Sequence, residues 1–294
     1  MDSRAHGNLA IIEGGQQFPA WFDNQGQIPG FSQVNATGEV LLTRVNAKLD
    51  RFYEPIDSQP TIAKSDRLQT PLTRERVSKV VVFDKVASDI AEVASLTGLV
   101  RIFEPEIQLC HLPRSPDPLI ERYLAAAAPR LGEGFRQVVD VQQGCAASVF
   151  LDLPGRQALV NDIAFIVAVY GDLLGCSRVA VRLEVIRRAM CPRFHVDRTG
   201  IRLLCTYRGL GTEWLEEGHA DRTRMGHGAG GMDDEHSGLI RTSTGVGRVA
   251  PFAIVLLKGE LWQGNDHRGA IHRSPAVPEQ DAPRVLLALD AVWD

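Results

Sequence analysis

Two side chains that bind metal ions stand two residues apart in Cys191-Pro192-Arg193-Phe194-His195-Val196-Asp197. The stretch follows a run, Val179 to Met190, that alternates as a strand does. On a strand, residues i and i+2 face the same way, so the His195 imidazole and the Asp197 carboxylate would project together. They are two thirds of a facial set of two histidines and one carboxylate. Such a set holds Fe(II) from one side and leaves the other side open. The third ligand has to come from a distant strand. His272, in Gly269-Ala270-Ile271-His272-Arg273-Ser274-Pro275, is the candidate. Arg284 follows twelve residues later, and a guanidinium is suited to two-pronged capture of a carboxylate. Arg182 and Arg273 are competing anion ligands, and the Ser274 hydroxyl offers a further hydrogen bond.

Other groups could bear chemistry. His219, His227 and His236 lie among Asp221, Asp233, Asp234 and Glu235 in a Gly-rich stretch. Histidine and carboxylate clusters bind Zn(II), but this spacing matches no standard zinc motif, and a solvated loop explains it as well. His267 could support His272 or act as an accessory ligand. The five cysteines have no CxxC pairing and read as buried thiols. A metal-facing Cys191 would instead favour zinc. Glu213 and Trp214 could touch substrate or simply pack. Gly226 to Gly231 fits the letters GxGxxG, yet no strand precedes it and no helix pattern follows, so it does not read as a dinucleotide site. No nucleophile elbow or phosphate loop occurs.

These residues need elements to hold them. Residues 1–70 are rich in Gly, Gln, Asn, Asp and Pro and read as an irregular extension. Residues 71–294 read as a single α+β domain, with a helical part over 71–177 and a β core over 178–294. Helical spacing of Val86, Ile90, Val93 and Leu96 predicts a helix over 84–96, and Leu99 to Phe103 reads as a strand. Asp117 and Pro118 predict the start of a helix that Pro129 ends. A strand, or a strand and turn, is expected within 138–151. Apolar positions from Ala158 to Tyr170 predict the clearest helix, over 156–174, with Gly175 as its cap. Strands are predicted over 179–186, 200–207, 252–257 and 284–289. Between them, residues 216–248 hold eight glycines and read as a mobile loop at the site entrance.

Composition bounds the rest. The chain has 294 residues, 44% hydrophobic, which is enough for a substantial core. A net charge of −4, pI near 6.1 and only 6% aromatics argue against nucleic-acid binding. No signal-peptide pattern opens the sequence, and no unbroken apolar run approaches the roughly 18 residues of a membrane span. A reducing cytoplasm is the expected location. Oligomeric state is not legible.

From Val179 onward, the order His195-x-Asp197, His272, Arg284 resembles iron/2-oxoglutarate oxygenases. The resemblance implies a double-stranded β-helix of the jelly-roll or cupin-like kind, with N-terminal covering helices. It implies Fe(II) on the triad, Arg284 holding 2-oxoglutarate, and an oxidised small-molecule or other substrate. One departure is that 75 residues separate Asp197 from His272, and the Gly-rich loop would absorb the excess. More narrowly, "CPRFHVDRTGIRLLCTYRGLGTEWL" followed by "GAIHRSP" resembles the family catalogued as domain of unknown function 1826. That family brings no established activity and implies an association with bacterial zinc homeostasis. The alternatives are therefore a Zn(II)-binding protein without redox catalysis and a metal-dependent hydrolase.

Overall fold

Alternating apolar residues in the second half of the chain build the strands beneath the site. The computed structural model describes residues 10–11, 17–18, 88–188, 191–265, 268–277 and 282–293. β1 (Ala10–Ile11) and β2 (Gln17–Phe18) form a short antiparallel pair. β3 (Ile90–Glu92) and β4 (Leu109–Leu112) pair in parallel. Helix α1 (Pro118–Ala127), β5 (Gly134–Asp140) and helix α2 (Arg156–Leu174) follow. Next come β6 (Arg178–Ile186), β7 (Ile201–Arg208), β8 (Glu213–Leu215), β9 (Val246–Arg248), β10 (Ile254–Lys258), β11 (Ile271–Arg273) and β12 (Arg284–Val292).

The fold is mixed α+β around a seven-stranded sheet of order β3-β4-β10-β7-β12-β6-β5, with a second sheet of order β11-β8-β9. The large sheet thus takes three strands from residues before 178. Strand pleating divides its residues between two cores. Val285, Leu287 and Leu289 of β12 pack with Leu159, Ile163, Ile166 and Tyr170 of α2. Leu286 and Ala288 face the other way, toward Leu204, Val255, Ala270 and Trp214. Arg114 fastens this layering: its guanidinium grips Asp162 of α2 at 2.7 Å, and Tyr207 of β7 donates to the same carboxylate at 2.6 Å.

Local signals explain both helices. The Asp117 carboxylate accepts from the Leu119 and Ile120 amides, as an N-cap does, and Pro118 needs no donor there. Gly175 closes α2 in the left-handed region, at φ 69°. By length and composition α2 could cross a membrane, but half of the relevant window is buried within the protein.

Several expectations need correction. Residues 90–92 form β3 rather than part of a helix: Ala91 and Val93 are buried alternately with exposed Glu92, and β4 supplies a ladder. Residues 97–103 form a 3₁₀ helix rather than a strand, and its three-residue repeat buries Leu99 and Ile102 on one side. The strand expected within 138–151 ends at Asp140, and 147–149 is a 3₁₀ turn. Most of the 1–70 extension, and residues 84–87, lie outside the described residues.

Candidate metal centre and anion cradle

His195 and Asp197 do not sit on a regular strand. β6 ends at Ile186, and residue 195 joins only an isolated antiparallel bridge to residue 272. That bridge is nonetheless what assembles the site. The His195 amide donates to the His272 carbonyl and the His272 amide to the His195 carbonyl, each at 3.0 Å. Directly opposed residues of an antiparallel pair share a face. The rings accordingly lie with centroids 4.5 Å apart.

Asp197 completes the cluster. One carboxylate oxygen, Oδ1, lies 3.5 Å from His195 Nε2, and Oδ2 lies 3.5 Å from His272 Nε2. One ligand atom from each residue fits within a mutual 4.8 Å, and this is the one such group of His, Cys, Asp and Glu among the described residues. The tautomers follow from the surroundings. His195 Nδ1 is 2.9 Å from the Arg193 carbonyl and His272 Nδ1 is 3.0 Å from the Ala270 carbonyl. A carbonyl only accepts, so each Nδ1 carries the proton and donates it. In the neutral ring Nε2 then keeps its lone pair, which is the state a metal ion requires. Burial raises the Asp197 pKa, but His195, His272 and Arg202 outweigh it and hold the carboxyl well below the usual carboxylate range. Burial lowers the His195 pKa, and contact with Asp197 more than offsets this. The donor set fits a divalent ion of the Fe(II) type.

The Gly-rich segment braces both ligand-bearing pieces of chain. Leu239 and Ala220 pack with Phe194 and Ile271. Buried Asp234 accepts from the Phe194 amide at 2.7 Å and from Arg273 at 3.2 Å. Arg273, stacked 4.2 Å over the Phe194 ring, also pairs with Glu213 and Glu235. Glu213 bonds Arg248 as well, so it is a structural ion-pair partner. The loop histidines pair locally, His219 with Thr242 and His236 with Asp233.

Arg284 differs from the competing arginines. Arg182 reaches Asp290 and Glu184, and Arg273 has its three carboxylates. Arg284, 1% exposed, pairs with no carboxylate among the described residues. Its Nε donates to the Leu210 carbonyl at 2.8 Å, and one terminal nitrogen donates to the Thr206 and Thr212 hydroxyls at 3.0 and 3.1 Å. The other terminal nitrogen, Nη1, is buried without a hydrogen-bond partner among the described residues. Burial pushes the guanidinium down to about 10, with Glu184 offsetting part of the effect. The turn after β7 is shaped around it. Gly209 has φ 83°, and a Cβ there would stand 3.2 Å from the Arg284 Cβ. A Cβ on Gly211 would lie 1.8 Å from the Val249 carbonyl oxygen. Thr206 and Thr212 carried no motif in the sequence. Thr206 lies on β7 beside the register shift at Val285/Leu286 of β12, and Thr212 lies in the turn that follows β7.

The Ser274 amide donates to the Cys191 carbonyl, and no hydrogen bond links its hydroxyl to Arg284 among the described residues. Cys191 is exposed rather than buried, unlike the other four thiols, and it is not grouped with the triad. His267 lies outside the described residues.

The site and the chain around it define a mixed α+β protein with a candidate facial metal centre. The model of the family described as "Protein of unknown function (DUF1826)" matches residues 73–290, and the chain belongs to that family. No curated protein matches the sequence. Among solved structures, the chain is similar to the rice dioxygenase for auxin oxidation at 15% identity, with TM-score 0.40 over 69% of this chain and 82% of that one. The Arabidopsis thaliana dioxygenase for auxin oxidation, in complex with 2-oxoglutarate, gives 10% identity and TM-score 0.39 over 70% and 92%. A Pseudomonas putida prolyl-4-hydroxylase gives 13% and 0.36 over 68% and 94%.

Proposed function

We propose that the chain is a non-haem Fe(II)-dependent oxygenase on a double-stranded β-helix, using 2-oxoglutarate as co-substrate. The observation that carries this reading is Arg284. A buried guanidinium with no carboxylate among the described residues and one bare nitrogen is costly unless an anion joins it. Arg284 and Asp290 share one face of β12, and Asp290 reaches the triad through Arg202, so cradle and triad belong to the same side of the sheet. A co-substrate with two acidic ends suits that arrangement. A protein that merely stores Zn(II) leaves Arg284 unexplained.

In this reading His195, Asp197 and His272 hold the ion, with both rings fixed by their Nδ1–H bonds. Arg284 Nη1 takes the distal carboxylate. The Thr206 and Thr212 oxygens accept from the guanidinium, so their own hydroxyl protons are free to donate to the same carboxylate. Fe(II) with 2-oxoglutarate, when bound, supplies the oxidising chemistry that hydroxylates a C–H bond. The substrate is a small molecule or another group able to reach the metal centre.

The test is anaerobic binding of 2-oxoglutarate to Fe(II)-loaded protein and to Arg284→Met, followed by co-substrate consumption in air. Binding and consumption by the wild type, both lost in the variant, are expected. Stoichiometric metal without 2-oxoglutarate binding in either protein would reject the oxygenase reading.

A further inference from the structure

The Asp197 carboxylate is held on one oxygen by a guanidinium that is itself clamped from behind. Arg202 Nη1 donates to Asp197 Oδ2 at 2.5 Å. Its other two nitrogens, Nε and Nη2, take both oxygens of Asp290 at 2.8 and 3.0 Å. Asp290 lies opposite Arg202 in the β12–β7 ladder and is further fixed by Arg182 at 3.1 Å and Thr199 at 3.3 Å. Two parallel hydrogen bonds fix the plane of a guanidinium. Arg202 therefore cannot swing away from Asp197 without breaking its bidentate pair with Asp290.

A metal carboxylate can bind through one oxygen or two. Because Oδ2 already accepts from Arg202, Oδ1 is the less engaged of the two oxygens, beside His195 Nε2. We infer that Arg202, anchored by Asp290, is a positioning residue that restricts Asp197 to one-oxygen coordination and so keeps three places on the ion open. The inference rests on the proposed metal centre. Its consequence is that an ion held there would have room for a chelating co-substrate and one further ligand. A two-oxygen Asp197 would leave one place too few.

Mn(II) reports this directly, because the relaxation of water protons scales with the number of water molecules on the ion. The full chain loaded with Mn(II) is compared with Arg202→Met at equal metal occupancy. With six places in all, freeing Oδ2 to chelate lowers the bound waters from three to two, so the relaxivity falls by about a third. Asp290→Asn keeps the guanidinium but weakens its anchor, and it lowers the relaxivity in the same direction. It also serves if Arg202→Met does not fold. A wild type that binds Mn(II), with relaxivity unchanged in the folded variants, overturns the role of Arg202 and leaves the metal centre standing. A wild type that binds no Mn(II) removes both.

Discussion

Arg284 carries the functional reading, and its energetics can be separated from its chemistry. A ligand that binds only the folded protein stabilises it by RT ln(1 + [L]/Kd), about 2.7 kcal/mol at a hundredfold excess over Kd. Saturating 2-oxoglutarate should therefore raise the melting temperature of metal-loaded wild type, while Arg284→Met should show no ligand-dependent shift in the same scan. Gly209→Ala probes the cradle without touching the charge. A left-handed non-glycine residue costs about 1 kcal/mol, and the new methyl crowds Arg284 at 3.2 Å. We expect modest destabilisation in denaturant but a larger loss of 2-oxoglutarate affinity; equal affinity in the two proteins would show that the turn does not shape the cradle. The grouping of His195, Asp197 and His272 could be expected from the sequence because each residue type has a narrow chemical use. The parts played by Arg202, Asp290, Thr206 and Thr212 could not. Their meaning comes from ladder register between β7 and β12, and no local pattern encodes that pairing.

At the scale of elements, the ligand segments depend on the Gly-rich stretch. Residues 195 and 272 share only one isolated bridge, so other contacts must hold their register. Asp234 is a buried carboxylate from the Gly-rich stretch that reaches both sides, through the Phe194 amide and Arg273. Removing it strands a buried amide, which costs about 1–3 kcal/mol. Asp234→Ala is expected to destabilise by that amount and to weaken metal binding about tenfold, as loss of an outer partner of a ligand does. Metal titration alongside urea unfolding checks both, and wild-type affinity in the variant would exclude the brace. The sequence showed this stretch as a glycine-rich loop but not as a packed support, since buried Leu239 and Asp234 are isolated among polar neighbours. The α2 helix was legible because nineteen residues allow several turns of apolar recurrence. Residues 90–92 and 97–103 were misread because short elements offer too few repeats, and the β4 ladder decides the first of them.

For the whole molecule, buried titratable groups set how stability responds to alkali. Lys258 is 2% exposed and donates to the Glu104 carbonyl at 2.7 Å. Burial pushes its ammonium down to about 8, from an ordinary 10.5. Between those values the unfolded chain keeps a proton that the folded protein has released, so stability rises with pH across that window. The slope for one such proton is at most about 1.4 kcal/mol per pH unit. The buried thiols act in the opposite sense. Burial raises Cys110 and Cys205 to about 12 and Cys176 to about 11, from an ordinary 9.0. Above pH 9 the unfolded chain loses protons that these folded thiols retain, and stability falls. The two effects overlap above pH 8, so the unfolding free energy measured in urea should climb from about pH 7 and turn over before pH 9. Lys258→Met should abolish the climb and leave the fall. A wild-type curve with no rise between pH 7 and 8, or a variant that still climbs there, would mean that Lys258 does not titrate as a buried cation.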